Sequence, residues 1–174
     1  MGQILSLTPR VLREYPANAE ALERAEGVLL LAVRGWVYDV IRSVEPASRS
    51  REVMISAGAP DACMPLDLLM RVMARTAVRP LEVHRPWCPC LASDERRFLH
   101  AARLAQGGEG WMAEQALRAG MLSDEGASFA LGPLCALGGV FAEAGLVLAP
   151  RAPPYARARA EPCPLEQPAT PTLH

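Results

Sequence analysis

The chain contains no lysine, so its basic residues are all arginine. Schiff-base and lysine general-base chemistry are thereby excluded, and so is a phosphate-binding P-loop, whose lysine and glycine pattern are both missing. Aromatic residues are scarce, at 5% of the chain, and none interleave with basic residues as a nucleic-acid stacking platform requires. A formal net charge of −1 supplies no field to draw the chain to a polyanion or an anionic membrane. No glycine-rich dinucleotide fingerprint follows a strand-like run, and no internal repeat is present. A secretory leader is not expected either. The N-terminal region carries Glu14, Glu20, Glu23 and Glu26, and the apolar run 28–33 comes too late and is too short for an h-region. Cysteine is limited to Cys63, Cys88, Cys90, Cys135 and Cys163, an odd number, so reduced thiols in a cytoplasmic protein are expected in place of a disulfide scaffold.

What the chain does have is alanine, leucine and valine in helical register. At 174 residues it is one domain's worth, able to bury about 70% of the surface of its unfolded form. Asn18, after Pro16, is a good N-cap, and Leu22, Ala25, Leu29, Val33, Trp36, Val40 and Val44 then recur in steps of three and four. Arg24, Arg34 and Arg42 fall off that stripe. Residues 28–31 widen it, which places this long helix near the centre of the fold or against a partner. Pro46 and the polar run 48–51 should end it, and residues 53–57 fit a short strand or a loop. A second helix is expected from Pro65, with Leu66, Leu69, Met70, Met73 and Ala77 inward and Pro80 as its limit. A third is capped by Ser93, with Asp94 and Glu95 complementing its dipole and Phe98, Leu99, Ala102 and Ala105 buried. A short fourth helix covers residues 111–119. The last opens at Ser123 or Ser128 and runs to about Ala144, with Ala136, Gly138, Gly139 and Ala142 allowing close backbone approach. Leu81 and its neighbours read as a short extended piece that could pair with residues 146–148. The fold expected is therefore mainly α: a compact bundle of about five helices with a short extended insertion. Residues 1–149 form the single domain, and residues 150–174 form a flexible tail rich in proline, alanine and arginine.

One segment stands out chemically: His84-Arg85-Pro86-Trp87-Cys88-Pro89-Cys90, just ahead of the Ser93 helix. Three readings compete for it. Thiolate and imidazole are the donors that zinc prefers, so His84, Cys88 and Cys90 could form a structural zinc site with His100, or a distant Cys63, Cys135 or Cys163, as fourth ligand. Alternatively, thiols before a helix N-terminus favour the thiolate, as a thiol-disulfide oxidoreductase or Cys-dependent enzyme would need. An extended piece, Trp-Cys and then a helix is loosely similar to the thioredoxin active-site layout, although only Pro89 separates these two cysteines. The Cys-Pro-Cys triplet also resembles that of the mitochondrial intermembrane-space import oxidoreductases, without their paired C-x9-C framework. On the third reading the prolines shape a helix crossing, the thiols are small apolar residues and Trp87 caps the core.

Two membrane signals are weaker. Met1-Gly2-Gln3-Ile4-Leu5-Ser6 matches the short myristoylation pattern, and residues 126–142 carry no charge over nearly a membrane span. Gly132, Pro133, Gly138 and Gly139 dilute that stretch, and a buried core helix is expected there. The function expected is that of a small accessory or regulatory protein, non-enzymatic, acting through protein contact and steadied by one zinc ion at the His84 segment. The oxidoreductase and a membrane-peripheral protein are the alternatives. The partner expected is another protein or a second copy of the chain, not nucleic acid.

Overall fold

The computed structural model describes residues 12–42, 45 and 47–154. Val44, Pro46, the Gly2 motif, Cys163 and the tail after residue 154 lie outside them. Six α-helices occur among the described residues: α1 Arg24–Ile41, α2 Ser48–Ala57, α3 Cys63–Thr76, α4 Ser93–Gln106, α5 Gly110–Arg118 and α6 Asp124–Glu143. The mainly helical expectation holds. The count of about five does not, because α2 was hidden in the polar run.

The reason is visible in α2 itself. Only Ser50 and Met54 are buried on it, so it carries almost no apolar periodicity. Its start is supplied from outside the segment: buried Asp39 of α1 accepts hydrogen bonds from Arg49 N and Nε, both at 2.9 Å. Gly58, at φ +83°, then closes it in the left-handed conformation. Gly35 on α1 lets the two helices meet, since a Cβ there would lie 3.0 Å from the Arg49 Cβ.

Asn18 does cap a helix, but only the single 3-10 turn Ala19–Ala21, accepting from Glu20 N at 2.8 Å. The start of α1 belongs to Glu26, whose Oε2 accepts from Glu23 N at 3.0 Å. At α4 the cap is Ala92 rather than Ser93, and Glu95 Oε2 takes the Ala92 N–H at 2.8 Å. Ser123 caps α6, accepting from Gly126 N at 3.1 Å.

Helix α6 packs against α3, α4 and α5, α4 packs also against α5, and α2 covers α1. The core runs through Leu29 and Val33 of α1, Leu66 and Leu69 of α3, Leu99 of α4, and Leu134 and Phe141 of α6. Helix α6 is long and apolar enough to cross a membrane by length and composition, yet its Ala127, Ala130, Leu134, Leu137 and Phe141 pack into this core. No strand occurs among the described residues, only isolated bridges pairing Arg13 with Arg151, Asn18 with Cys90, and Ala77 with Leu122. The ribbon anticipated between the Leu81 piece and residues 146–148 is not among them. The Gln106 side chain holds that second segment, donating to Leu146 O at 2.9 Å and accepting from Leu148 N at 2.7 Å.

Candidate functional site

Residues 77–92 cross from α3 to α4 without regular structure and are held by two arginine–carboxylate pairs. Arg34, off the apolar stripe of α1, is nonetheless buried. Its Nε and Nη2 donate to Glu95 Oε1 and Oε2 at 2.7 and 2.8 Å. Its remaining donors reach Cys88 O at 2.6 Å and Cys90 O at 2.5 Å. Glu95 also accepts from His84 N at 3.0 Å, so its oxygens are saturated by Arg34, His84 N and Ala92 N. Bidentate, charge-assisted bonds of this kind fix geometry strongly.

The second pair lies beside the first. Arg79 forks onto Asp94 with two bonds of 2.7 Å, and Glu82 N donates to the same carboxylate at 2.9 Å. Burial pushes the Asp94 carboxyl up. Arg79, the Glu82 N–H and Arg97 outweigh that effect and leave it below the usual aspartate value. Asp94 and Glu95 thus do more than complement a helix dipole: each anchors part of the crossing.

This framework places the sequence-predicted candidates. Cys88 is buried and Cys90 half-buried. Their turn is tied on one side to Arg34 and on the other to the N-terminal segment, through Ala19 N to Pro89 O at 2.7 Å and Leu91 N to Ala17 O at 3.0 Å. Trp87 does not cap the core. It is 59% exposed and meets the Tyr38 ring edge-on at 5.3 Å. His84 is half-buried at the Glu95 carboxylate. His100 is buried on α4, where its ring faces Tyr15 at 6.4 Å, and burial with the nearby Arg103 lowers its pKa. Among the described residues no group of three or more His, Cys, Asp or Glu side chains is gathered as a metal ion would need.

The ion pairs also form one wall of a feature that no motif announced, a cavity of about 520 Å³ between α1, α3 and the crossing. Leu30, Val33, Val37 and Ile41 line it from α1, and Met70, Met73 and Ala74 from α3. Ala77, Val78, Leu81 and Val83 line it from the crossing, with Phe98 and Met121 from behind. Its charged lining residues are Arg79, Asp94 and Glu95, all three engaged in the pairs above. At its mouth Ile41 is 75% exposed and Val78 58%. Apolar surface of this volume, with few polar groups, is the usual character of a binding pocket. The signal that could have found it was the over-wide apolar stripe of α1 together with Met70 and Met73 of α3, adaptable side chains that suit a surface taking a variable occupant.

Comparison with protein-family models, curated proteins and solved structures finds no match to this chain.

Proposed function

We propose that this protein is an accessory or regulatory module that acts by contact with another protein, through the apolar cavity between α1 and α3. The observation that carries this reading is the cavity itself: about 520 Å³, lined by aliphatic, methionine and aromatic side chains and bordered by exposed Ile41 and Val78. Soluble proteins bear the cost of exposed contiguous apolar surface mainly where something covers it. The carboxylates nearby support the same view. Glu95 has its oxygens filled by four donors and Asp94 is held by Arg79, so they serve as wall supports rather than as acid–base groups.

Site-specific photocrosslinking in the source cells tests this function. A photoreactive residue at Val78 should give discrete protein adducts, and these should disappear when Ala74→Trp fills the cavity. Adducts from a photoreactive residue at Phe129, on the exposed side of α6, with none from Val78 would overturn the reading.

A further inference from the structure

We infer that the depth of the cavity binds a small uncharged apolar molecule, beneath the rim that the partner meets. This goes beyond the contact reading and does not depend on it, because the ligand sits on residues that a protein surface does not reach. Leu30, Val33, Met70, Met73, Phe98 and Met121 line the cavity, yet none is more than 4% exposed. The exposed lining lies at Val40, Ile41 and Val78. The space is thus a deep recess with an apolar rim rather than an open trough. A partner helix can touch the rim, and only a smaller body can fill the depth. An apolar recess of about 150 Å³ takes one benzene ring. At that scale about 520 Å³ suits roughly two or three such rings, or a medium-length alkyl chain. Along α1 the lining runs roughly 16 Å from Leu30 to Ile41, at 1.5 Å per residue, which admits an elongated molecule.

The polar lining decides the class of ligand. Four lining residues carry a polar or charged side chain: Trp36, Arg79, Asp94 and Glu95. Each is already engaged within the protein. Trp36 Nε1 donates to Asp67 Oδ1 at 2.8 Å. Arg79 forks onto Asp94 and also donates to Pro80 O at 2.9 Å. Glu95 is filled by Arg34, His84 N and Ala92 N. A carboxylate, phosphate or ammonium drawn into the recess would lose its hydration without gaining a counter-charge, which is strongly unfavourable. Glu82, exposed on the crossing between Leu81 and Val83, further disfavours an anion. An uncharged apolar molecule meets neither penalty. It gains dispersion contacts with the aliphatic walls, and the unbranched side chains of Met70 and Met73 adjust to its shape.

The test uses the purified full chain and N-phenyl-1-naphthylamine, an uncharged fluorophore that brightens in apolar surroundings. One molecule per chain should bind saturably, with an affinity that added salt does not weaken. 1-Decanol should displace it at a concentration at least about tenfold lower than decanoate, which has the same chain length and a charged head. Ala74→Trp, at an exposed lining position, should abolish binding while the helical circular-dichroism signal stays. Where that signal is lost, Val37→Trp, at a half-buried lining position, takes its place. Phe129→Ser, which removes an exposed aromatic side chain of α6, should leave binding unchanged. Absence of saturable binding overturns the inference, and so does displacement by decanoate as readily as by decanol. Binding that Phe129→Ser removes and the cavity-filling variant keeps would assign the probe to the outer surface and overturn it as well. Val78 adducts in cells without probe binding refute this inference and leave the contact reading standing. Probe binding without Val78 adducts does the reverse.

Discussion

Arg34 on α1 and Glu95 on α4, 61 positions apart in sequence, form a bidentate pair with side-chain exposures of 2% and 0%. The pair is more than a link between two helices. Arg34 also donates to the Cys88 and Cys90 carbonyls, and Glu95 also accepts from His84 N and Ala92 N. One buried pair therefore satisfies four backbone groups of the irregular crossing, which could find no partner in a helix or a sheet.

Removing one member leaves the other charged and dry. Arg34→Met should destabilise the protein by about 3–5 kcal/mol. Arg34→Lys should recover little of that, because an ammonium cannot fork to four acceptors in one plane. Urea denaturation monitored by circular dichroism reads both effects. A loss below about 1 kcal/mol for Arg34→Met, typical of a surface pair, would refute this role.

The helices were legible where a stripe or a cap marked them, as in α3 from Leu66 to Met73 and in α6 after Ser123. The segment that became α2 was not, because its determinants lie elsewhere: Asp39 supplies its start, and Met54 is its one large buried side chain. The ion pairs were hidden for a similar reason. Asp94 and Glu95 occupy positions where helix-dipole complementarity explains an acid locally, and nothing in their neighbourhood announces an arginine on α1 or after α3. The Cys-Pro-Cys turn was conspicuous as chemistry, whereas its carbonyls, invisible to a reading of side chains, are what Arg34 holds. The cavity was half legible. The broad apolar face of α1 indicated a central helix or a partner, and only the fold shows that, among the described residues, part of that face lines a cavity.

His100 sets a pH dependence distinct from that of the carboxylates. Burial, followed by Arg103, lowers its folded pKa from 6.5, with Glu109 opposing. The unfolded chain therefore binds the proton more readily, and stability declines as pH falls below 6.5, until the folded-state value is passed. Asp94, lowered from 3.8, makes its contribution above that pH and loses it only in stronger acid. Denaturation midpoints measured from about pH 7.5 to 5 should fall, and His100→Gln should flatten that slope whatever it does to stability at neutral pH. An unchanged slope in the variant would show that another group titrates there.

The glycines of α6 are expected to divide sharply. A Cβ at Gly138 would sit 2.9 Å from the Gln106 Cα and 3.0 Å from its N, where α4 and α6 meet and backbone cannot give way. Gly138→Ala should cost about 1–3 kcal/mol by overpacking. At Gly139 nothing lies within 4 Å of the added methyl, so substitution by alanine there should stabilise by about 0.5–1 kcal/mol through helix propensity. The thermal midpoints of the two variants test the contrast, and similar shifts at Gly138 and Gly139 would contradict the close approach.

Arg151 shows that the folded unit extends into the segment that sequence assigned to the tail. Its guanidinium forks onto the buried Glu26 carboxylate of α1, with Nη2 to Oε2 at 2.6 Å, and lies over the Tyr15 ring at 5.4 Å. The backbone alongside is secured by Ala152 N donating to Arg13 O at 2.9 Å. Arg151→Met should therefore cost about 3–5 kcal/mol, mostly from stranding Glu26 without a counter-charge. A chain ended at Pro150 should lose at least as much. Hydrogen exchange locates the effect: the Ala152 amide should lose protection in Arg151→Met well before the amides of α4 and α6, because its single bond depends on the Arg151 anchor. Protection at Ala152 equal to that of the unaltered protein would mean that the Arg13 contact holds the segment alone and that Arg151 is dispensable.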